Sequence, residues 1–454
     1  MIFKNLFDDK IFYKNLILIA VPIMVQNLIN AFVNMLDTVM IGQLGTVEIA
    51  AVGLGNQVFF LYNMILFGIS SGGAVFTAQY WGKGDIRGIR RATGFCLTLG
   101  LSVALLFTLL TVLAPEAVIG FYSADGAVIK AGAAYIRTLA PSFIPFSISF
   151  VFTLMMRSTE RVRLPIVTTL VALTINLVLN YLLIFGKGPF PALGVVGAAI
   201  ATVIARFVEM GILVAYSYEK KYPLAGSIRE LFDFSVPFIL NFLRIALPVM
   251  VNELLWSLGI TMQNVIFART GTDAIAAFNI TNTVSQLTWV FFMGIGNGAG
   301  VLIGKKIGAG EEQTARDYAR RITIFGPLTA VGASLILIPL SWTLPFLFRV
   351  NDSVFSIISG MFIILSLVYP FRAFNMSMII GVCRAGGDTV FSVIYDILFM
   401  WAVTLPLAAA ASFIFNAPVW FIYLCIAMED PLKMIFGLAR LRSGKWLRNV
   451  TVSR

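Results

Sequence analysis

Apolar stretches of bilayer length follow one another along almost the whole chain, separated by short polar connections. A helix that crosses the hydrocarbon core needs about 20 predominantly apolar residues. The pattern predicts twelve such helices, at approximately 14–41, 47–80, 91–114, 131–156, 164–186, 194–218, 238–268, 273–304, 317–341, 353–381, 389–414 and 417–440. The segments are far longer than a barrel strand of about 10 residues, and they do not alternate polar and apolar positions. The expected fold class is an all-α membrane protein.

The pattern also repeats. Shifted by 226 residues, the chain lies over its own second half without a gap for about 75 positions. Asn15, Pro22, Met24 and Leu28 fall on Asn241, Pro248, Met250 and Leu254. Gly45, Gly68, Gly72, Gly82 and Gly84 fall on Gly271, Gly294, Gly298, Gly308 and Gly310. Six helices per half is an even number, so the two pseudo-symmetric six-helix lobes run in the same direction as parallel repeats. The expected organisation is an N-terminal lobe at 1–218, a cytoplasmic inter-lobe linker at 219–237 and a C-terminal lobe at 238–454. The linker carries Glu219, Lys220, Lys221, Arg229, Glu230 and Asp233. Two related halves in an apolar chain make a transporter the first expectation, because such folds work by rocking one repeat against the other.

Composition agrees with the helix pattern, at 59% hydrophobic and 12% charged residues. A net charge of +11 would suit nucleic acid, but its placement points elsewhere. With the N-terminus inside, Lys4, Lys10, Lys83, Arg87, Arg90, Arg91, Arg157, Lys220, Lys305, Arg316, Arg384, Lys433, Arg440 and Arg454 all fall on the inner side. The outer side has only Lys130, Lys187, Arg269 and Arg349. This positive-inside bias predicts a multi-pass protein of the inner (plasma) membrane with both termini cytoplasmic. The first apolar helix lacks a small-residue cleavage site and is expected to remain as a span.

Glycine and proline read as structural. Gly68/Gly72, Gly294/Gly298 and Gly296/Gly300 are small residues four apart, which let helix backbones approach closely. The run Gly294, Gly296, Gly298, Gly300 neither follows a strand nor opens a helix, so it fails as a nucleotide loop. Pro141 and Pro370, in corresponding helices, mark kinks that serve as hinges or as static shape.

Ionisable side chains in an apolar span are functional candidates by default. Asp37 lies on the outer half of the first helix, and Asn30 and Asn34 share its face. A partly desolvated carboxylate there is suited to binding a proton or a sodium ion. Glu253 lies near the middle of the seventh helix, flanked by Asn252 and Trp256, and a buried acid beside an aromatic ring suits an organic cation. Its repeat equivalent is Asn27, and that of Asp37 is Gln263, so the acids break the symmetry of the halves. Asn176 and Asn180 share one face of the fifth helix, and Thr202 on the sixth offers a further oxygen for a hard cation. Asn279, Asn282 and Gln286 share a face of the eighth helix with Trp289 beyond, a pattern that fits cavity lining and interhelical bonding equally. Asp396 is expected to pair with Arg372, and Arg206 with Glu209. Glu429, Asp430 and Lys433 are expected at the cytoplasmic gate or surface.

Histidine is absent, and Cys96, Cys383 and Cys425 are scattered, which argues against a zinc site, a disulfide framework and an intramembrane enzyme. No cofactor beyond a coupling Na+ or H+ is expected.

The chain resembles the multidrug and toxic compound extrusion family over nearly its whole length. The resemblance rests on the stretch Asp37-Thr-Val-Met-Ile-Gly-Gln-Leu-Gly45, on Pro248 with Glu253, on the Gly82/Gly84 and Gly308/Gly310 loops, and on Arg384-Ala-Gly-Gly-Asp388. It implies twelve helices in two lobes and drug efflux driven by inward sodium or proton flow. One group in the family has the helix-one aspartate, matched by Asp37, working with positions matched by Asn176, Asn180 and Thr202. The second helix-five position is often aspartate there and is Asn180 here. Another group has the helix-seven glutamate, matched by Glu253, with a helix-ten aspartate that this chain lacks.

The expected function is therefore secondary active export of organic, cationic, amphipathic compounds in exchange for Na+ or H+. Asp37, Asn176, Asn180, Thr202 and Glu253 are the expected coupling residues, with Asp37, Asn176, Asn180 and Thr202 the sodium set. Asn30, Asn34, Trp256, Gln263, Asn282, Gln286 and Trp289 are expected to line the substrate cavity. The expected partners are drug-like molecules and membrane lipids, not nucleic acid, and the protein is expected to be a monomer. The alternatives are a lipid-linked oligosaccharide or lipid flippase of the same superfamily, which would need a cationic cavity, and a passive channel or receptor.

Overall fold

The computed structural model describes residues 8–347 and 352–452, so Lys4, Arg349 and Arg454 lie outside the described residues. All regular structure among these residues is helical. The long helices are α1 (Lys10–Gly42), α2 (Thr46–Lys83), α3 (Ile86–Leu113), α4 (Gly126–Ser158), α5 (Arg163–Phe185) and α6 (Gly194–Glu219) in the first half. The second half has α7 (Val236–Thr270), α8 (Thr272–Gly308), α9 (Glu312–Leu347), α10 (Val354–Arg384) and α11 (Thr389–Phe413). These are 11 helices long and apolar enough to cross a membrane. The twelfth, α12, is made of two segments, Val419–Ala427 and Glu429–Ser443.

The interruption in α12 has a local cause. Pro431 has no backbone N–H, so the carbonyl four residues earlier, Ala427, loses its helical donor. The break falls at Met428, directly before the charged run Glu429, Asp430 and Lys433. Pro141 acts in the same way in α4, where a 3-10 turn at Ala140–Ser142 separates Gly126–Leu139 from Phe143–Ser158. Pro370 lies inside a continuous helix, Asp352–Met376. That helix widens to a π-helix at Ser377–Arg384, a form often found at functional positions.

The polypeptide forms two compact units, residues 25–246 and residues 1–24 with 247–454. Each boundary falls within two residues of an intrahelical proline, Pro22 or Pro248. The start of α1 therefore belongs to the unit of the second-half helices, and the start of α7 to the unit of the first-half helices.

Close packing in each unit depends on missing side chains. In the first-half unit, a Cβ on Gly72 would lie 2.5 Å from Ala246 Cβ. In the second-half unit the four-glycine run of α8 serves two faces. Gly294 and Gly298 meet Met24 and Ala20, while Gly296 and Gly300 meet Ile380 on the π-helical part of α10. The α2–α3 and α8–α9 turns use Gly84 and Gly310 at φ 75° and 78°, a left-handed conformation that side chains resist. Large aromatic residues fill the cores. Phe76 stacks on Phe242 at 5.4 Å in one unit, and Phe267 on Phe278 at 4.1 Å in the other. Many large apolar side chains remain exposed along the helices, among them Leu105, Leu106, Leu109 and Leu113 on α3. Such a surface suits a lipid solvent, in which the helix satisfies its own backbone.

Candidate functional site

In the first-half unit the polar residues of α1, α5 and α6 form one hydrogen-bonded seam. Asn180 Nδ2 donates to Asp37 Oδ1 at 2.8 Å and to Asn176 Oδ1 at 3.3 Å. Asn176 Nδ2 donates to Thr202 Oγ1 at 3.3 Å, and that hydroxyl donates to Ala198 O at 3.0 Å. The structure thus brings Asp37, Asn176, Asn180 and Thr202 together. Asn176 and Asn180 are buried, while Asp37 and Thr202 are half-buried. Asp37 has no basic residue in ion-pairing distance among the described residues. Asn180 Oδ1 is buried and accepts no hydrogen bond among the described residues. A carboxylate, amide oxygens and a hydroxyl are the donors a hard monovalent cation takes, and the unsatisfied Asn180 oxygen fits that role. Asn30 is half-buried and Asn34 exposed, about two turns and one turn from Asp37 along α1.

Three turns toward the N-terminal end of α1, the side the charge bias assigns as inner, lies a second station that sequence reasoning largely missed. Arg157 donates to Gln26 Oε1 at 2.7 Å, and Gln26 Nε2 donates to Thr169 Oγ1 at 2.7 Å. The Thr169 hydroxyl donates to Glu209 Oε1 at 2.9 Å, and Glu209 Oε2 accepts from Arg206 at 2.8 Å. Only the Arg206–Glu209 pair was legible, from its helical spacing. The missed signal is a shared period: Gln26 precedes Asp37, and Thr169 precedes Asn180, by the same three helical turns. Both inter-helix hydrogen bonds therefore span 143 residues, as two parallel helices in constant register require.

The second-half unit has an inner station at the matching places. Arg384 donates to Glu253 Oε1 at 2.6 Å, and Asn252 Nδ2 donates to Asp396 Oδ2 at 3.0 Å. Their separations of 131 and 144 residues match the 131 and 143 of Arg157–Gln26 and Gln26–Thr169. Polar clusters thus occur at similar places in both repeats, with Gln26 and Thr169 in one answered by Asn252, Glu253 and Asp396 in the other. Among the described residues no hydrogen bond joins Gln263, the repeat equivalent of Asp37, to a neighbouring helix.

Several expectations are corrected here. Asp396 pairs with Lys433 at 2.7 Å, not with Arg372. Arg372 pairs with Asp430 at 3.0 Å and donates to Ser285 Oγ at 3.2 Å. Similar depth suggested the first pairing, but the direction in which each helix presents its side chains decides it. Glu429, Asp430 and Lys433 are buried in this network and are not surface anchors. Arg384 and Lys433 are also buried, so they balance acids within the unit and add nothing to the inner surface charge. Glu253 is held by a guanidinium and is not a free acid beside a ring.

The remaining aromatic and amide candidates of the second-half unit are placed as follows. Trp256 and Trp289 stack, with centroids 6.3 Å apart and planes 16° apart. Gln263 is buried, Asn282 half-buried and Gln286 exposed. Asn30 and Asn34 belong to the other unit.

Repeated six-helix units, bilayer-length helices and a buried polar seam define a multi-pass membrane transporter. A family model described as MatE matches residues 22–182 and again 248–410, one match in each repeat. The chain belongs to this family, the multidrug and toxic compound extrusion transporters. It is 27% identical to a probable multidrug resistance protein NorM of Thermotoga maritima, over 97% of this chain and 94% of that protein. It is 24% identical to the transporter YisQ of Bacillus subtilis, over 94% and 93% of the two chains. Among solved structures, the Vibrio cholerae MATE transporter VcmN in its bent form superimposes with a TM-score of 0.86 at 20% identity, covering 96% and 99% of the chains. A MATE structure in the straight conformation also gives 0.86, at 18% identity over 95% and 96%. At these identities the structures establish the shared fold.

Proposed function

We propose that the protein is a secondary active exporter of organic cations and other amphipathic drugs, driven by inward flow of Na+ or H+ through Asp37. The observation that carries this is the contrast between the two intramembrane acids. Glu253 already has Arg384 at 2.6 Å, whereas Asp37 accepts from the Asn180 amide and has no ion-pair partner among the described residues, Arg206 being paired with Glu209. An acid without its own base gains most from binding a proton or a cation. The relatives named as multidrug resistance proteins support the substrate class.

In this reading an ion from outside settles on Asp37 with Asn180, Asn176 and Thr202, and the drug leaves as that site fills. Linkage makes the exchange reciprocal: whatever the ion does to drug affinity, the drug does to ion affinity. One elementary charge moving through 100 mV supplies about 2.3 kcal/mol, enough to sustain a gradient of tens-fold. Both termini are assigned to the cytoplasm and the protein to the plasma membrane, from the inner bias of lysine and arginine.

The test is ethidium retention in cells lacking their own efflux pumps. Cells making the wild-type protein should retain several-fold less dye than cells making D37N at equal protein levels. Equal retention would exclude Asp37 as the coupling acid.

A further inference from the structure

The inner station of the second-half unit holds four carboxylates, of which Asp396, Glu429 and Asp430 are buried, and three bases, of which Arg384 and Lys433 are buried. Glu253 has Arg384 to itself, and Asp430 has Arg372. Asp396 and Glu429 share a single ammonium, that of Lys433, which is 2.7 Å from Asp396 and adjoins Glu429. The Lys433 side chain is 4% exposed, and those of Asp396 and Glu429 12% and 11%. Asp388 lies outside this count, because Arg440 and Arg448 both hold it. Away from water an uncompensated charge costs several kcal/mol, so a group of this composition favours taking up one positive charge.

A second observation shows where a proton would be received. Asn252 is 2% exposed and donates its Nδ2 to Asp396. Its Oδ1 is buried and accepts no hydrogen bond among the described residues. A half-turn of that amide presents the oxygen to Asp396, where it accepts from a protonated carboxyl but not from a carboxylate.

We propose that the Asp396–Glu429 pair, bridged by Lys433, is a second proton-binding site, distinct from Asp37 and holding one exchangeable proton. The other charged and titratable groups around it are accounted for. Arg384, on the π-helical part of α10, is held by Glu253. Asp430, next to Glu429 on α12, is held by Arg372. Tyr395 on α11 donates its hydroxyl to Asn375 Oδ1 and is thus occupied. With Asn252 donating to Asp396, the proton rests on Glu429. When the amide turns, it passes to Asp396, and the pair still holds one proton.

The equivalent station in the other unit cannot do this. There the neutral Gln26 and Thr169 link Arg157 to Glu209, and Glu209 has a base of its own in Arg206. The repeat thus divides its work, with an outer single acid in one unit and an inner proton-sharing pair in the other. That the proton assists transport rests on the exporter reading, but its presence does not.

The test reads the proton directly. Infrared difference spectra of the purified protein in lipid nanodiscs, taken across an alkaline titration, report protonated carboxyl groups by their carbonyl stretch and its shift in heavy water. All spectra are taken in the D37N background, without drug or gradient, so failure of the exporter reading leaves the test intact. A buried-carboxyl band should be present and should vanish in E429Q and in D396N, because each substitution leaves one acid for Lys433. In K433M the band should grow about twofold, since both acids then lack a base. A spectrum without the band, or a band unchanged in E429Q, D396N and K433M, would overturn the proposal.

Discussion

Asn180 Nδ2 lies 2.8 Å from Asp37 Oδ1, joining α5 to α1 by the one direct hydrogen bond shown to reach that carboxylate. The donor is an amide, so the acid is oriented without being neutralised. The same amide turns an unsatisfied oxygen toward the buried seam. Asn180→Ala removes both features while leaving the Asp37 charge. A hydrogen bond to a charged group contributes about 1.5–3 kcal/mol. The expected result is a fall in apparent coupling-ion affinity of roughly tenfold or more. It is read from the ion concentration that half-saturates dye efflux in proteoliposomes.

Gln26→Ala should act on stability more than on ion affinity. It leaves Arg157 and Thr169 without their shared partner, at an expected cost of about 1–3 kcal/mol. The measurement is a thermal melt of the solubilised protein, with a midpoint lowered by roughly 2–4 °C for each kcal/mol lost. An unchanged midpoint together with a changed ion affinity would show that the inner station binds the ion.

Arg384→Met strands Glu253, whose side chain is 13% exposed, and losing one partner of a buried pair costs about 3–5 kcal/mol. The double substitution E253Q with R384M should recover most of that loss, because no lone charge remains. A double-mutant cycle on thermal midpoints checks this, and strictly additive effects would contradict the pairing.

The linker between the halves should loosen in acid. The Ser227 backbone and hydroxyl, then Arg90, hold Glu230 below the usual carboxylate range, and Arg87 does the same for Asp233, helped by Arg91. Groups depressed in the folded state contribute stability above their ordinary values and lose it as pH falls through the folded ones. Hydrogen-exchange protection of residues 219–235, measured relative to the intrinsic rate at each pH, should therefore be high at neutral pH and lower below about pH 4. R87A with R90A should already exchange faster at neutral pH.

The helices were legible because their apolar runs are unbroken, and the repeat because glycine and proline recur at a fixed offset. The interruption of α12 was less visible, since Pro431 lies among charges that read as the end of a span. Asp37 stood out as a charge in an apolar helix, and the asparagines of α5 by their spacing. Their union came from the family resemblance, because spacing within one helix does not say which neighbour it faces. Gln26 and Thr169 stayed hidden because neutral polar residues in membrane helices commonly just bond their neighbours. Asp396 was matched by depth to Arg372, whereas Lys433 proved to be its partner.

The most direct measurement of the central claim is ethidium efflux from proteoliposomes with a sodium gradient and a pH gradient imposed separately. One of the two alone should drive dye uphill in the wild-type protein, and D37N should abolish that drive. If neither gradient moves ethidium or other cationic dyes uphill, or if D37N pumps as well as the wild type, ion-coupled export through Asp37 is contradicted.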